Sequence, residues 1–242
     1  MYAANSEPSR SFIISSLTDI LMRMIIDPYT WHRLPIRSVS FASSDTVAVR
    51  VDKPTDYDFR AGQYAVARVT IGGQPLMRQY SFSSAPHDSQ LELLIQHQPD
   101  GVVSSWFCKT AQVGDVIEIS QPFGGFVLED TERPVLLVAG RVGIAPFVSM
   151  LRESAPRSHS LLYSVKSDEQ VCFPDLLTTH HATIVKTEER PRIDASMLKA
   201  HIGLKPIIYV CGSKQFVDGI ASELSTLGVV AHDIRRELFT LQ

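Results

Sequence analysis

The stretch Val135-Leu136-Leu137-Val138-Ala139-Gly140-Arg141-Val142-Gly143-Ile144-Ala145-Pro146 decides the architecture. Its first five residues are an uninterrupted apolar run, the pattern of a strand buried on both faces of a parallel sheet. Glycines at 140 and 143 then make a strand-to-helix turn. Such a turn lets backbone approach a phosphate, and the helix N-terminus that follows favours negative charge. Two glycines three apart also form common tight turns, and the order is not the usual G-x-G-x-x-G. On its own the turn leaves both readings open.

Downstream the pattern repeats. Ser160–Val165, Ala182–Lys186, Ile207–Cys211 and Val229–Ile234 read as strands, with a helix over Lys214–Leu227. Strands alternating with helices imply a parallel sheet covered on both faces. Counting Val135–Ala139 as the first, Cys211-Gly212-Ser213 ends the fourth strand of this sheet, at the edge where ligands of such sheets bind. The cysteine either faces a ligand or is a buried structural thiol; no neighbouring histidine or acid activates it as a nucleophile.

Upstream the grammar is different. Ile36–Ala42, Thr46–Val51, Gln63–Val69, Met77–Phe82, Leu91–Gln96 and Val116–Ile119 are short runs with partial period-2 alternation. Turn residues separate them, among them Ser43-Ser44-Asp45, Gly72-Gly73 and Pro99-Asp100-Gly101. This spacing predicts a closed antiparallel barrel interrupted by one helix near Val102–Thr110. The change of pattern falls at Glu129–Arg133, before Pro134. The expected organisation is residues 1–35 as an N-terminal helical extension, 36–130 as the barrel and 131–242 as the α/β domain.

In the extension, Ile13, Leu17, Ile20, Leu21, Met24 and Ile25 follow helical spacing, and Pro28 should end the helix. The preferred reading is a helix packed on the protein's own surface or on a second copy. The alternative is docking of a partner or a membrane surface through residues 10–30.

Composition narrows the function. The chain has 242 residues, 44% of them apolar, and a net charge of −3. No basic field suggests nucleic acid, and no segment is long and apolar enough to span a bilayer. Three dispersed cysteines, Cys108, Cys172 and Cys211, exclude a disulfide framework and a four-cysteine metal or iron–sulfur site within the chain. No metal is expected, and the compartment is read as reducing and cytoplasmic.

Two motifs of the first half carry chemistry. Arg78-Gln79-Tyr80-Ser81 lies in a strand, with Arg78 and Tyr80 on one face and Ser81 on the other unless the strand bends. An arginine beside a tyrosine face suits a phosphate next to a planar ring, or is simply a surface arginine by a half-buried tyrosine. Gly101-Val102-Val103-Ser104-Ser105 opens a helix, which is ordinary capping and also an anion site.

The order of these motifs resembles that of the ferredoxin–NADP reductase superfamily, and more closely its oxygenase reductase components, from about Ile36 to Phe239. Phe59-Arg60-Ala61-Gly62-Gln63-Tyr64 looks like the family's early F-x-x-G-Q segment, and Arg78 to Ser81 like its R-x-Y-S flavin motif. Gly101 to Ser104 resembles the G-x-x-S that binds the flavin pyrophosphate. Pro122-Phe123-Gly124 with Phe126 resembles the segment closing the barrel, and Gly140 to Pro146 the G-G-x-G-I-x-P nicotinamide motif. Cys211-Gly212 and Ile234-Arg235-Arg236-Glu237-Leu238-Phe239 resemble the family's nicotinamide-facing and terminal motifs.

The resemblance implies a fold and roles. The fold is a Greek-key β-barrel for flavin, followed by a doubly wound five-stranded parallel sheet for nicotinamide. Tyr80 stacks on the flavin ring, Ser81 bonds near its reacting nitrogen, and Arg78 and Ser104 hold phosphates. Gln79, Ile95, Gln96, His97, Gly101 and Val103 complete the FAD site, with Phe239 as a cover. Gly140, Val142, Gly143, Pro146, Cys211 and Gly212 shape the nicotinamide dinucleotide site. Ser81, Cys211 and Glu237 form the catalytic group. Ser164 and Lys166, with Arg190 and Arg192 nearby, suit a 2′-phosphate, so the donor is NADPH or NADH.

The implied activity is reduction of bound FAD by NAD(P)H. Single electrons then pass to a separate protein acceptor, because three residues after Phe239 leave no room for an iron–sulfur domain. A ferredoxin, an oxygenase component or a haem protein would serve. Two rivals are a flavin reductase using free flavin and a non-catalytic flavin-binding subunit. A dihydroorotate dehydrogenase electron-transfer subunit fits less well, lacking its cysteine cluster. Ser213 replaces a customary proline, a mild departure. Arg141 replaces the second glycine of the nicotinamide motif, and either crowds the dinucleotide or pairs with its phosphates.

Overall fold

The computed structural model describes residues 27–153, 158–189 and 192–239. The helix expected over Phe12–Ile26 and the side chain of Arg190 lie outside the described residues.

Six antiparallel strands form the first sheet: β1 (Trp31–Ser43), β2 (Thr46–Asp52), β3 (Tyr64–Ile71), β4 (Gln74–Ser81), β5 (Gln90–Gln96) and β6 (Val116–Ser120). Their spatial order is β4-β3-β6-β1-β2-β5. A bridge between Phe82 and Leu93 joins the two outer strands and closes the sheet into a barrel. Helix α1 (Val102–Lys109) lies between β5 and β6, with Val103 and Phe107 in the barrel core.

β1 begins at Trp31, five residues before the expected start. Its first half pairs with β6 and its second with β2, so one long strand serves both parts of the sheet. Its side chains are mostly only half-buried, so the leading residues carry little apolar signal.

The alternation in β2 and β5 is blurred for a physical reason. Val47, Val49, Val51, Leu91, Leu93 and Ile95 fill the barrel interior. Ala48 and Leu94, facing the other way, are buried in the core of the second sheet. Most of both faces is covered, so few polar residues mark an outer face, Arg50 and Glu92 being the exceptions.

The second sheet has five parallel strands: β7 (Val135–Gly140), β8 (His159–Val165), β9 (Thr183–Lys186), β10 (Ile207–Ser213) and β11 (Ile234–Phe239). Their order is β11-β10-β7-β8-β9, a doubly wound arrangement with β7 at the centre. A short 3₁₀ turn, Arg141–Ile144, leads into α2 (Ala145–Glu153). Three further helices follow: α3 (Pro174–Thr179), α4 (Ala195–Lys199) and α5 (Lys214–Thr226). One face of the sheet packs on α2 together with Ala48, Ala61, Leu94 and Phe126 of the barrel. The other face packs on α4 and α5 through Leu198, Val217, Ile220 and Leu224.

The fifth strand needs correction. It was expected over Val229–Ile234, but residues 231–233 form a 3₁₀ turn and β11 runs Ile234–Phe239. β11 is an edge strand, partly exposed and rich in charge, so its apolar signal is weaker than that of Val229-Val230.

Candidate functional site

The barrel's β4 ends against β11. Ser81, the last residue of β4, is buried, and its Oγ donates to Oε1 of Glu237 at 3.2 Å. Glu237 lies directly opposite Cys211 in the β10–β11 register. Residues 156 positions apart in sequence therefore meet at one point, and the three expected catalytic positions come together there.

Burial sets the chemistry of this group. It raises the Glu237 carboxyl to about 7, the Ser81 hydrogen bond opposing the rise. The carboxyl is therefore protonated in about half the molecules near neutrality. The Cys211 thiol is fully buried, and burial, reinforced by the Glu237 charge, holds it well above its usual range. It is a neutral thiol packed in the core and no nucleophile.

Beside Ser81, Arg78 and Tyr80 are half-buried on β4, while Gln79 points to solvent. The Tyr80 ring meets Phe107 of α1 edge-on at 5.9 Å, which fixes its plane. Gln63 ties the neighbouring loops: its Oε1 accepts from the Arg60 N–H at 2.8 Å, and its Nε2 donates to the Gly124 carbonyl at 3.0 Å.

The start of α1 is a built turn. Ser104 Oγ accepts from the Gln98 N–H at 3.1 Å and donates to the Gly101 carbonyl at 3.2 Å. A Cβ at Gly101 would fall 2.5 Å from that hydroxyl, so only glycine fits. Ser104 is thus engaged in bracing the turn. No side chain caps the helix, which leaves the N–H groups of its first turn for an anion. Val103 and Ile95 point their side chains into the barrel core, so they can face a ligand only through backbone. Gln96 and His97 turn toward Asp45: Gln96 Nε2 donates to Asp45 Oδ2 at 2.8 Å, and the His97 N–H to the Asp45 carbonyl at 2.7 Å.

In the second sheet, the turn at 140–146 packs on the end of β10. A Cβ on Gly143 would lie 2.3 Å from the Cys211 carbonyl oxygen, so that contact is backbone against backbone. Gly140 and Gly212 have a different reason to be glycine. A Cβ on either would meet the Phe216 ring at 2.8 Å. The space over these two strand ends is taken by an aromatic ring of the chain itself. Val142 is half-buried, and Pro146 sits buried in the first turn of α2. Ser164, buried on β8, pairs with Gly140, and Phe239 pairs with Ser213. Lys166 projects into solvent, with Glu188 at 3.1 Å.

Two polar bridges between the sheets have no counterpart among the expected residues. Asp45, in the β1–β2 turn, accepts from Gln170 Nε2 at 2.7 Å, while the Ser44 N–H donates to the Glu169 carbonyl. Glu92 on β5 is nearly fully buried and takes Arg152 of α2 at 2.6 Å, and Arg50 as well. These cations, Arg152 first, hold its carboxyl below the usual range against the opposing effect of burial. Ser149 Oγ donates to the Ser84 carbonyl at 2.6 Å beside it. A lone glutamate within an apolar strand was the one visible signal.

The chain thus pairs an antiparallel barrel with a doubly wound parallel sheet, the two sharing one apolar core. Residues 33–128 match the family described as oxidoreductase FAD-binding domain. That match lies in the barrel half of the chain. The chain is 28% identical to the toluate 1,2-dioxygenase electron transfer component of Pseudomonas putida, covering 86% of this chain and 67% of that one. It is 30% identical to a flavohemoprotein of Oceanobacillus iheyensis, over 75% of this chain and 51% of that one. The chain therefore spans between half and two thirds of these relatives. A ferredoxin NADP+ reductase from Neisseria gonorrhoeae, solved with bound FAD and NADP, shares the fold at TM-score 0.75 and 23% identity; the match covers 86% of this chain and 98% of that one. Among the described residues, no helix is long and apolar enough to cross a membrane.

Proposed function

We propose that the chain is an FAD-dependent NAD(P)H reductase that hands electrons to a separate redox protein. The observation that carries this reading is the meeting of Ser81 with Glu237 and Cys211. It joins the motif of the barrel to the carboxyl edge of the parallel sheet, where a dinucleotide of a doubly wound fold binds. The uncapped start of α1 and the fixed Tyr80 ring fit a flavin dinucleotide, the one at its phosphates and the other at its ring system.

A bound flavin supplies a centre that accepts two electrons as hydride from nicotinamide and releases them singly. The chain's own residues bind, orient and exclude water. Arg78 and the first-turn N–H groups of α1 hold negative charge. The Ser81 hydroxyl presents one donor at a fixed position. Glu237 holds a proton at its carboxyl and exchanges it through Ser81 Oγ. Cys211 stays neutral in the core behind Glu237. Gly143 keeps the turn seated on β10, so the two motifs of the second sheet hold a constant spacing.

The electron acceptor is proposed as an oxygenase component, a ferredoxin or a haem protein. The relatives named above are an electron transfer component of a dioxygenase and a flavohemoprotein, which favours a haem or oxygenase acceptor. The test is anaerobic visible-absorbance titration of the purified protein with NADH and NADPH in turn. A yellow protein bleached by one nucleotide is expected. A yellow protein that neither bleaches would reduce the chain to a flavin-binding subunit. A colourless protein that reduces added flavin would make flavin a diffusing substrate.

A further inference from the structure

Arg141 occupies a left-handed backbone conformation, with φ +53°. Glycine adopts that conformation without strain and an L-residue does not. An outlier of this kind at a site points to a role for the side chain. Packing is not that role, because the side chain is 56% exposed.

Its ion pair does not account for it either. Arg141 Nη2 lies 3.4 Å from Asp45 Oδ2 across the gap between the two sheets. Asp45 already accepts four shorter bonds, from Ser43 Oγ, Thr46 Oγ1, Gln96 Nε2 and Gln170 Nε2. Those fill the roughly four lone-pair directions of a carboxylate. The arginine is a fifth, long and solvent-exposed partner, a contact worth little. It is too weak to lock the gap against a ligand, and it leaves most of a guanidinium's five donors unused.

Location supplies the rest. Arg141 follows directly on β7, the central strand, at the edge where Ser164 of β8 and Cys211 of β10 also end. Its guanidinium reaches over that edge toward a carboxylate of the barrel. We propose that Arg141 is a specificity-determining residue of the nicotinamide site: on binding, its guanidinium leaves Asp45 and takes the pyrophosphate of the dinucleotide, as a bidentate partner. This rests on the reading above that a dinucleotide occupies this edge. It also predicts discrimination against a nicotinamide mononucleotide, which lacks the pyrophosphate.

The test is equilibrium binding of NAD+ and NADP+ to the flavin-loaded protein by titration calorimetry, at low and high salt. Wild type, Arg141→Gly and Arg141→Lys are compared, with flavin retention and thermal midpoint measured on each. Arg141→Gly is expected to bind both nucleotides about tenfold to a hundredfold more weakly, the loss of one charge-assisted contact. Its salt dependence should flatten and Arg141→Lys should fall between. The midpoint of Arg141→Gly should hold or rise, since glycine relaxes the backbone; weaker binding in a protein of undiminished stability cannot be misfolding. Equal or tighter binding by Arg141→Gly would overturn the proposal and make the arginine an obstacle. Loss of flavin with nucleotide affinity intact would also overturn it, assigning the guanidinium to the flavin pyrophosphate. Wild type that binds neither nucleotide would sink the reading of the site itself, whereas binding unaffected by Arg141→Gly sinks only this inference.

Discussion

Replacing Glu237 by glutamine should change how stability depends on pH, and the size follows from the carboxyl's surroundings. In the folded chain this group titrates at about 7, against an ordinary value near 4.5. The folded state therefore keeps a proton that the unfolded chain releases. Stability from this source is fully present below about 4.5, declines as pH rises, and is gone above about 7. At about 1.4 kcal/mol per pKa unit the whole effect is roughly 3 kcal/mol. About 2.5 kcal/mol of it falls between pH 5 and pH 8, since the unfolded chain has begun to ionise by pH 5.

Glutamine cannot ionise, and its carbonyl still accepts from Ser81. The assay is urea denaturation of wild type and Glu237→Gln, both saturated with FAD, from pH 5 to pH 8. All other titrating groups are common to both proteins and cancel in the difference. The variant should gain on the wild type steadily as pH rises, by about 2.5 kcal/mol, or roughly 5–10 °C in thermal midpoint for a chain of this size. A difference that stays constant across that range would refute the argument that burial governs this carboxyl.

Ser81→Ala removes the bond to Glu237 and should lower the rate of flavin reduction about tenfold or more in stopped-flow absorbance, with the midpoint little changed. Arg152→Met leaves the buried Glu92 with Arg50 and the Ser83 hydroxyl and should cost about 3 kcal/mol in denaturant unfolding. Gly143→Ala drives a methyl against the Cys211 carbonyl, where only backbone can yield, and should cost about 2–3 kcal/mol and weaken nucleotide binding in the same preparation.

Much of the fold was legible because its strands are short and dry. Val135–Ala139 and Ile207–Cys211 stand out as apolar runs, since both of their faces are covered. β11 was misplaced for the opposite reason: Arg235, Arg236 and Glu237 belong to an edge strand, and charge there reads as loop. At the site, Ser81, Cys211 and Glu237 were named through motif order, while the burial that tunes Glu237 had no such signal, because it needs three strands from two sheets. Asp45 appeared only as part of a turn. Its partners Gln96, Arg141 and Gln170 lie 51, 96 and 125 residues away, a distance at which no local pattern speaks. Arg141 was visible as a departure from the nicotinamide motif, but its backbone conformation was not.

The seam between the sheets limits how this protein can be recombined. From Trp31 onward the chain is a single compact unit. Ala48, Ala61, Leu94 and Phe126 of the barrel share a core with α2, and Glu92 relies on an arginine contributed by that helix. A chimera that exchanges the second half for that of a distant relative would strand a buried carboxylate and open an apolar face. Grafting a new nucleotide preference onto this barrel therefore requires that Ser149, Arg152 and Gln170 travel with the acceptor, or that Ser84, Glu92 and Asp45 be rewritten with the donor. Splicing at Pro134 alone, where the linker invites it, cuts the backbone at a permissive place and leaves the two halves chemically mismatched.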